Sequence, residues 1–199
     1  FYQNEDGLVK ALQNNEVDQI SALTPENAEM LKKEGHIIES SVLPRIFGLF
    51  FNQNKNKIFT EKSILNAIDQ AIDKDRIVDE VLLGYGIAID SPIPQNIINY
   101  QKLGEKVNIS REEKLKKIQD NLAKSGWKKN LDGYLEKTII DKKKKKTIEL
   151  LEFSISTGNA EELSKSAEII KENLKDIGMK VDIKTFEIGN LNQMVIRPR

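Results

Sequence analysis

Four aspartates, Asp69, Asp73, Asp75 and Asp79, stand close together in the chain. Carboxylates in such a group suit a hard cation such as calcium. The glycine and terminal glutamate of a calcium loop are missing, however, and helix capping with solvent exposure accounts for these acids. The lysine run 142–146 has the charge to meet phosphate, and a solvated hairpin tip is the other reading. Thr157, Gly158 and Asn159 precede a predicted helix, whose free amide groups favour an anion; an ordinary helix cap uses the same residue types. His36 is the only histidine and there is no cysteine, so a zinc centre lacks its usual ligands. No carboxylate pair can be singled out for glycosidic chemistry among 31 acidic residues. A nucleophile elbow, a phosphate-binding loop and a dinucleotide fingerprint are all missing. No catalytic residue, metal ligand or cofactor is assigned.

The elements that must position these residues alternate between helix and strand. Residues 6–14 carry Leu8, Val9 and Leu12 at helical spacing, and 17–21 read as a short strand. Thr24-Pro25-Glu26 combines a hydroxyl cap, a first-turn proline and an acid near the positive dipole end. The helix it opens is expected to run to about Glu34 and stop at Gly35. Residues 36–43 and 45–51 read as strands, rich in β-branched and aromatic side chains. Phe47, Leu49 and Phe51 are expected in the core.

Thr60 is expected to cap a helix with Ile64, Leu65, Ile68 and Ile72 on its apolar side. Asp73 is expected to cap a second helix over 74–83, ended by Gly84. Ser110 has Glu113 at capping-box distance, with Leu115, Ile118 and Leu122 as the buried stripe. Residues 134–140 and 147–156 read as strands. A helix starts near Asn159, with Glu162 at capping-box distance, and 179–188 alternates as a strand. A strand–helix–strand of this size is a crossover unit, which favours parallel pairing in a mixed sheet. Trp127, after Gly126, reads as a core anchor. The segment 100–109 shows no clear pattern.

Composition limits the function classes. Lys+Arg and Asp+Glu both number 31, which gives no basic excess to attract nucleic acid. No apolar run approaches the roughly 20 residues needed to cross a bilayer. The chain starts with Phe1 and stops at Arg199, shortly after an apolar segment. It reads as an internal piece of a larger protein, one partial α/β lobe over residues 1–199.

Taken in order, these pieces resemble the family 5 extracellular solute-binding proteins, the peptide, dipeptide and nickel receptors of ABC importers. The similarity runs through the opening segment 7–18 and the Thr-Pro-Glu-led helix at 24–35. It continues through Phe50-Phe51-Asn52, the alanine-rich helix 67–74 and the helix 77–82. It then takes in Gly84, the Ser91-Pro92-Ile93-Pro94 loop, the Gly-Trp ending at Trp127 and the strand–helix–strand marked by 156–159 and 174–181. Two features depart from the family pattern. Leu65 stands where an arginine is common, and 95–109 is longer and more polar than the family leads one to expect.

The resemblance implies a lobe of the periplasmic-binding-protein type II class, a mixed sheet flanked by helices. It implies a ligand-capture protein rather than an enzyme, in which two lobes close on an oligopeptide or similar solute and deliver it to permease subunits. This chain would be most of the second lobe, without the first lobe, the hinge or a strand beyond Arg199. It would bind weakly or not at all by itself, because closure supplies much of the burial. By that likeness Gly48 and Phe50 on segment 45–51, Thr157 and Asn159 in their loop, and Arg197 are the ligand-binding residues. An extended peptide can pair with backbone there, and a guanidinium suits a carboxylate. The parent is expected outside the cytoplasm (in the periplasm or on the outer face of the cell membrane), lipid-anchored and monomeric. The alternative is a scaffold or sensory module that keeps the fold and uses 95–109 as a partner surface.

Overall fold

The computed structural model describes residues 2–41, 43, 45–91, 109–140 and 144–196. The Ser91–Pro94 loop beyond Ser91, the polar segment 95–109 up to residue 108, and Arg197 lie outside them. Two helices come first, α1 (Glu5–Gln13) and α2 (Pro25–Lys33). A 3-10 turn (Lys57–Thr60) leads into α3 (Lys62–Ala71) and α4 (Lys74–Glu80), and α5 (Arg111–Lys124) follows. The remainder is β1 (Lys128–Lys129), β2 (Leu135–Ile140), β3 (Lys146–Leu150), β4 (Glu152–Gly158), α6 (Glu161–Asp176), β5 (Lys180–Phe186) and the short α7 (Ile188–Leu191).

Local capping chemistry sets most helix starts. Thr24 Oγ1 accepts from the Asn27 N–H, Asp73 Oδ1 from Arg76 at 3.0 Å, and Ser110 Oγ from Glu113 at 3.2 Å. All three caps are the ones expected from sequence. Thr60 is not a cap. Its hydroxyl donates to the Lys57 carbonyl at 2.7 Å within the 3-10 turn, and Glu61 takes the cap position of α3. Glu61 makes no side-chain cap bond because its carboxylate is engaged elsewhere. It accepts from Trp127 Nε1 at 3.2 Å and from Lys137 Nζ at 2.9 Å.

The α4 helix ends at Glu80, short of the expected 83. Gly84 still closes it, at φ +83° and donating to the Val78 carbonyl at 3.0 Å, and Leu83 before it also takes the left-handed region at φ 48°. The strand expected at 17–21 is irregular.

The core gathers under α3, α5 and α6. Ile64, Ala67, Ile68 and Ala71 form the buried stripe of α3, and Ile118 and Leu122 that of α5. Trp127, Leu151, Leu174 and Ile177 are fully inside the same cluster. Burying a side chain of this size contributes about 1.5–3 kcal/mol each. Trp127 is therefore the core anchor that sequence suggested. Gly178 lies at φ +92°, where an added Cβ would come within 3.0 Å of the Gly133 carbonyl oxygen. Only glycine fits that turn without strain.

The expected strand 147–156 divides at Leu151. Before it, β3 pairs antiparallel with β2; after it, β4 pairs parallel with β5 from Glu152–Lys180 to Gly158–Phe186. Leu151 belongs to neither ladder yet holds both, donating to the Leu135 carbonyl and accepting from Lys180. The parallel pairing expected of the crossover unit is present, with α6 as the connection. Among the described residues, parallel and antiparallel pairings occupy two ladders, β1-β2-β3 and β4-β5.

Candidate ligand-binding surface

The segments 36–43 and 45–51, expected as strands, form no ladder. Among the described residues from Ile37 to Phe50, no backbone group makes a backbone hydrogen bond within the chain. Strand propensity expresses itself only when a neighbouring backbone is present, and among the described residues none is. The alternation survives nonetheless. Leu49 and Phe51 pack against the core cluster, while Phe50 between them is 95% exposed.

Phe47, expected in the core, is 64% exposed, and Leu43 and Ile46 are exposed as well. The sequence signal that flags these three is the presence of apolar residues at both parities of 43–51, more than one buried face can take up. Among the described residues, nothing lies within 4 Å of where a Cβ on Gly48 would sit, so the backbone there is open to approach.

The inner end of this segment is tied to the parallel ladder. Phe51 and Phe59 have ring centroids 5.1 Å apart, and Phe59 meets Phe153 of β4 edge-on at 5.1 Å. Asn52 closes the turn by accepting from the Lys55 N–H at 3.0 Å.

Thr157 is the penultimate residue of β4 and half-buried; Gly158 is buried and Asn159 exposed. Asn159 does not cap α6, because the cap position falls one residue later on Ala160, which has no side-chain acceptor. Glu161 and Glu162 fill the first turn, where carboxylates already answer the positive helix end. Lys165 Nζ lies 2.7 Å from Glu161 and 3.8 Å from Glu26. The Lys165 hydrogen bond holds the Glu161 carboxyl below its usual value, and the same bond raises the lysine. Two carboxylates and one cation at this end weaken its appeal to an anion.

Among the described residues, no hydrogen bond or ring contact joins Gly48 or Phe50 to Thr157 or Asn159. The Phe51–Phe59–Phe153 row ties the end of segment 45–51 to the start of β4, whereas Thr157 and Asn159 stand at and just past its other end. A hollow of about 110 Å³ lies beside Lys165 and Thr24, and one of about 360 Å³ lies between Asn66 and Gln70 of α3 and Asn121 of α5. Neither includes a candidate binding residue. Among the described residues, no group of histidine, cysteine or carboxylate side chains is arranged to hold a metal, and no helix is long and apolar enough to cross a membrane.

Segment 45–50 thus presents exposed apolar side chains and, among the described residues, a backbone without backbone hydrogen bonds. Residues 1–195 match the bacterial extracellular solute-binding proteins, family 5 middle. The chain belongs to this family. The oligopeptide-binding protein AppA of Bacillus subtilis strain 168 is 31% identical over 146 residues, 72% of this chain and 25% of its own length. The chain thus spans about a quarter of that relative. The structure of Bacillus subtilis AppA in complex with a nonapeptide superposes with a TM-score of 0.54 at 30% identity, covering 72% of this chain and 26% of AppA.

A nickel ABC transporter structure from Bacillus halodurans has a TM-score of 0.74 at 22% identity, over 99% of this chain and 38% of its own. At that identity the likeness is one of fold. The architecture is the α/β, periplasmic-binding-protein type II class of this family.

Proposed function

We propose that the chain is most of the second lobe of an ABC-importer substrate-binding protein that captures oligopeptides between two lobes. The carrying observation is segment 45–50, without a backbone hydrogen bond among the described residues, with Phe47 and Phe50 turned to solvent and Gly48 uncovered. An extended peptide laid along it gains backbone hydrogen bonds, while Phe47 and Phe50 shape pockets for its side chains. Likeness to AppA, whose structure holds a nonapeptide, supports a peptide as the solute. Thr157 and Asn159 line the same cleft at the end of β4, and Arg197 meets a ligand carboxylate in two-pronged fashion.

In this reading the protein works by closure and delivery to permease subunits, outside the cytoplasm, as a lipid-anchored monomer. It performs no catalysis. The isolated chain, with only one wall of the cleft, binds weakly or not at all.

The test is calorimetry of the full-length protein with defined nonapeptides. Phe50→Ala and Phe47→Ala should each weaken binding about tenfold or more, as truncated aromatic anchors do, with thermal stability unchanged. Peptide binding that ignores both substitutions would remove segment 45–51 from the site. A full-length protein that binds no peptide, but does bind a metal chelate, would replace the ligand class.

A further inference from the structure

The β2–β3 hairpin carries an exposed face that peptide capture does not use. Thr138 pairs with Ile148 and Ile140 with Lys146 across the ladder, and such partners share a face. On it Ile140 is 60% and Ile148 64% exposed. Burial falls along the hairpin away from its root, where Leu135 is only 3% exposed and Leu151 fully buried. The root is pinned by the Lys137–Glu61 pair at 2.9 Å. In sequence, residues 138–148 hold five lysines against one aspartate, a local charge of +4 in a chain whose net charge is zero. Lys144 and Lys146 are exposed, and neither takes part in an ion pair among the described residues.

We propose that this hairpin face, built on Ile140, Ile148, Lys144 and Lys146, docks on an anionic lipid surface. A lysine cluster is drawn to anionic headgroups over about a Debye length, roughly 8–10 Å at moderate salt. The isoleucines decide between a membrane and a soluble polyanion. Phosphates in solution need only the lysines, whereas exposed β-branched side chains gain by entering the boundary between headgroups and acyl chains. Lysine stems lie along that boundary while their ammonium groups stay at headgroup level. The ladder pairs the facing backbone groups from Glu136–Leu150 to Ile140–Lys146, which leaves only the outward edges of the hairpin to meet water and headgroups. A peptide-capture protein held this way would stay close to the membrane it serves.

The test is co-sedimentation of the full-length protein, produced without a lipid anchor, with vesicles of pure phosphatidylcholine, and of phosphatidylcholine and phosphatidylglycerol in equal parts. Binding to the mixed vesicles is expected to be at least about tenfold stronger and to fall at high salt. Lys144→Glu with Lys146→Glu should abolish most of that difference. Ile140→Ser with Ile148→Ser should lower binding severalfold while circular dichroism and thermal unfolding stay unchanged, since both side chains are exposed. Equal binding to both vesicle types, or none, overturns the proposal. So does an isoleucine pair without effect, with inorganic polyphosphate competing fully, which would make the hairpin a polyanion site.

Discussion

The β4–α6–β5 unit and segment 45–51 start from similar raw material, runs of apolar and aromatic residues that alternate along an extended backbone. Their fates differ. In the first, seven residue pairs join β4 to β5, and α6 buries Ala167 and Leu174 beneath them. In the second, the alternation shows only as Leu49 and Phe51 inward and Phe50 outward, with no paired backbone. The difference lies in the neighbour. A sixteen-residue helix returns β5 to the side of β4, whereas nothing in the described chain is brought to the side of 45–51. The paired unit contributes to the core, and the unpaired strip keeps Phe47 and Phe50 exposed.

Amide hydrogen exchange should separate the two regions most widely. Amides of β5 are expected to exchange orders of magnitude more slowly than those of 45–50, because exchange tracks the opening of hydrogen bonds that the strip does not have. Comparable rates would dissolve the contrast. Substitution comes next. Leu174→Ala should cost about 2–5 kcal/mol in denaturant unfolding, and Phe50→Ala less than about 0.5 kcal/mol, since one opens a cavity and the other alters solvent contact. Gly178→Ala should lose about 1–3 kcal/mol, because it forces a Cβ into a left-handed conformation and against the Gly133 carbonyl. At Leu83, where leucine takes the same region at φ 48°, glycine should instead gain about 0.5–1 kcal/mol.

The smallest effect belongs to the N-terminal helices. Burial raises the Glu5 carboxyl, but hydrogen bonds from Asn27 and from the Thr24 N–H and hydroxyl outweigh it, so the folded value lies below 4.5. A lowered carboxyl contributes stability that is complete above 4.5 and lost as pH falls through the folded value. Acid titration of stability should therefore be shallower in Glu5→Gln than in the parent chain.

Much of the helical framework was legible because its signals are local. Thr24, Asp73 and Ser110 each reach a backbone amide only three residues ahead, and the apolar stripes of α3 and α5 repeat every turn. Trp127 and the crossover unit were legible for similar reasons. Thr60 and Asn159 failed as caps through longer-range or one-residue effects. Glu61 is drawn to Trp127 and Lys137, far away in sequence, and α6 starts one residue late. At the candidate surface, the sequence indicated the apolar strip but not which side of it would face solvent, so Phe47 was placed in the core.

By itself, the sequence determined the helix starts at Thr24, Asp73 and Ser110, the buried stripes of α3 and α5, the lack of thiol and imidazole clusters, and the order of pieces that marks the family. The tertiary structure decided which extended runs became strands, where 147–156 broke at Leu151, and that Phe47, Phe50, Ile140 and Ile148 face solvent. The reason is one of range. A cap or a buried stripe is set by residues within a turn or two, whereas a ladder and an exposed face depend on which distant backbone arrives alongside.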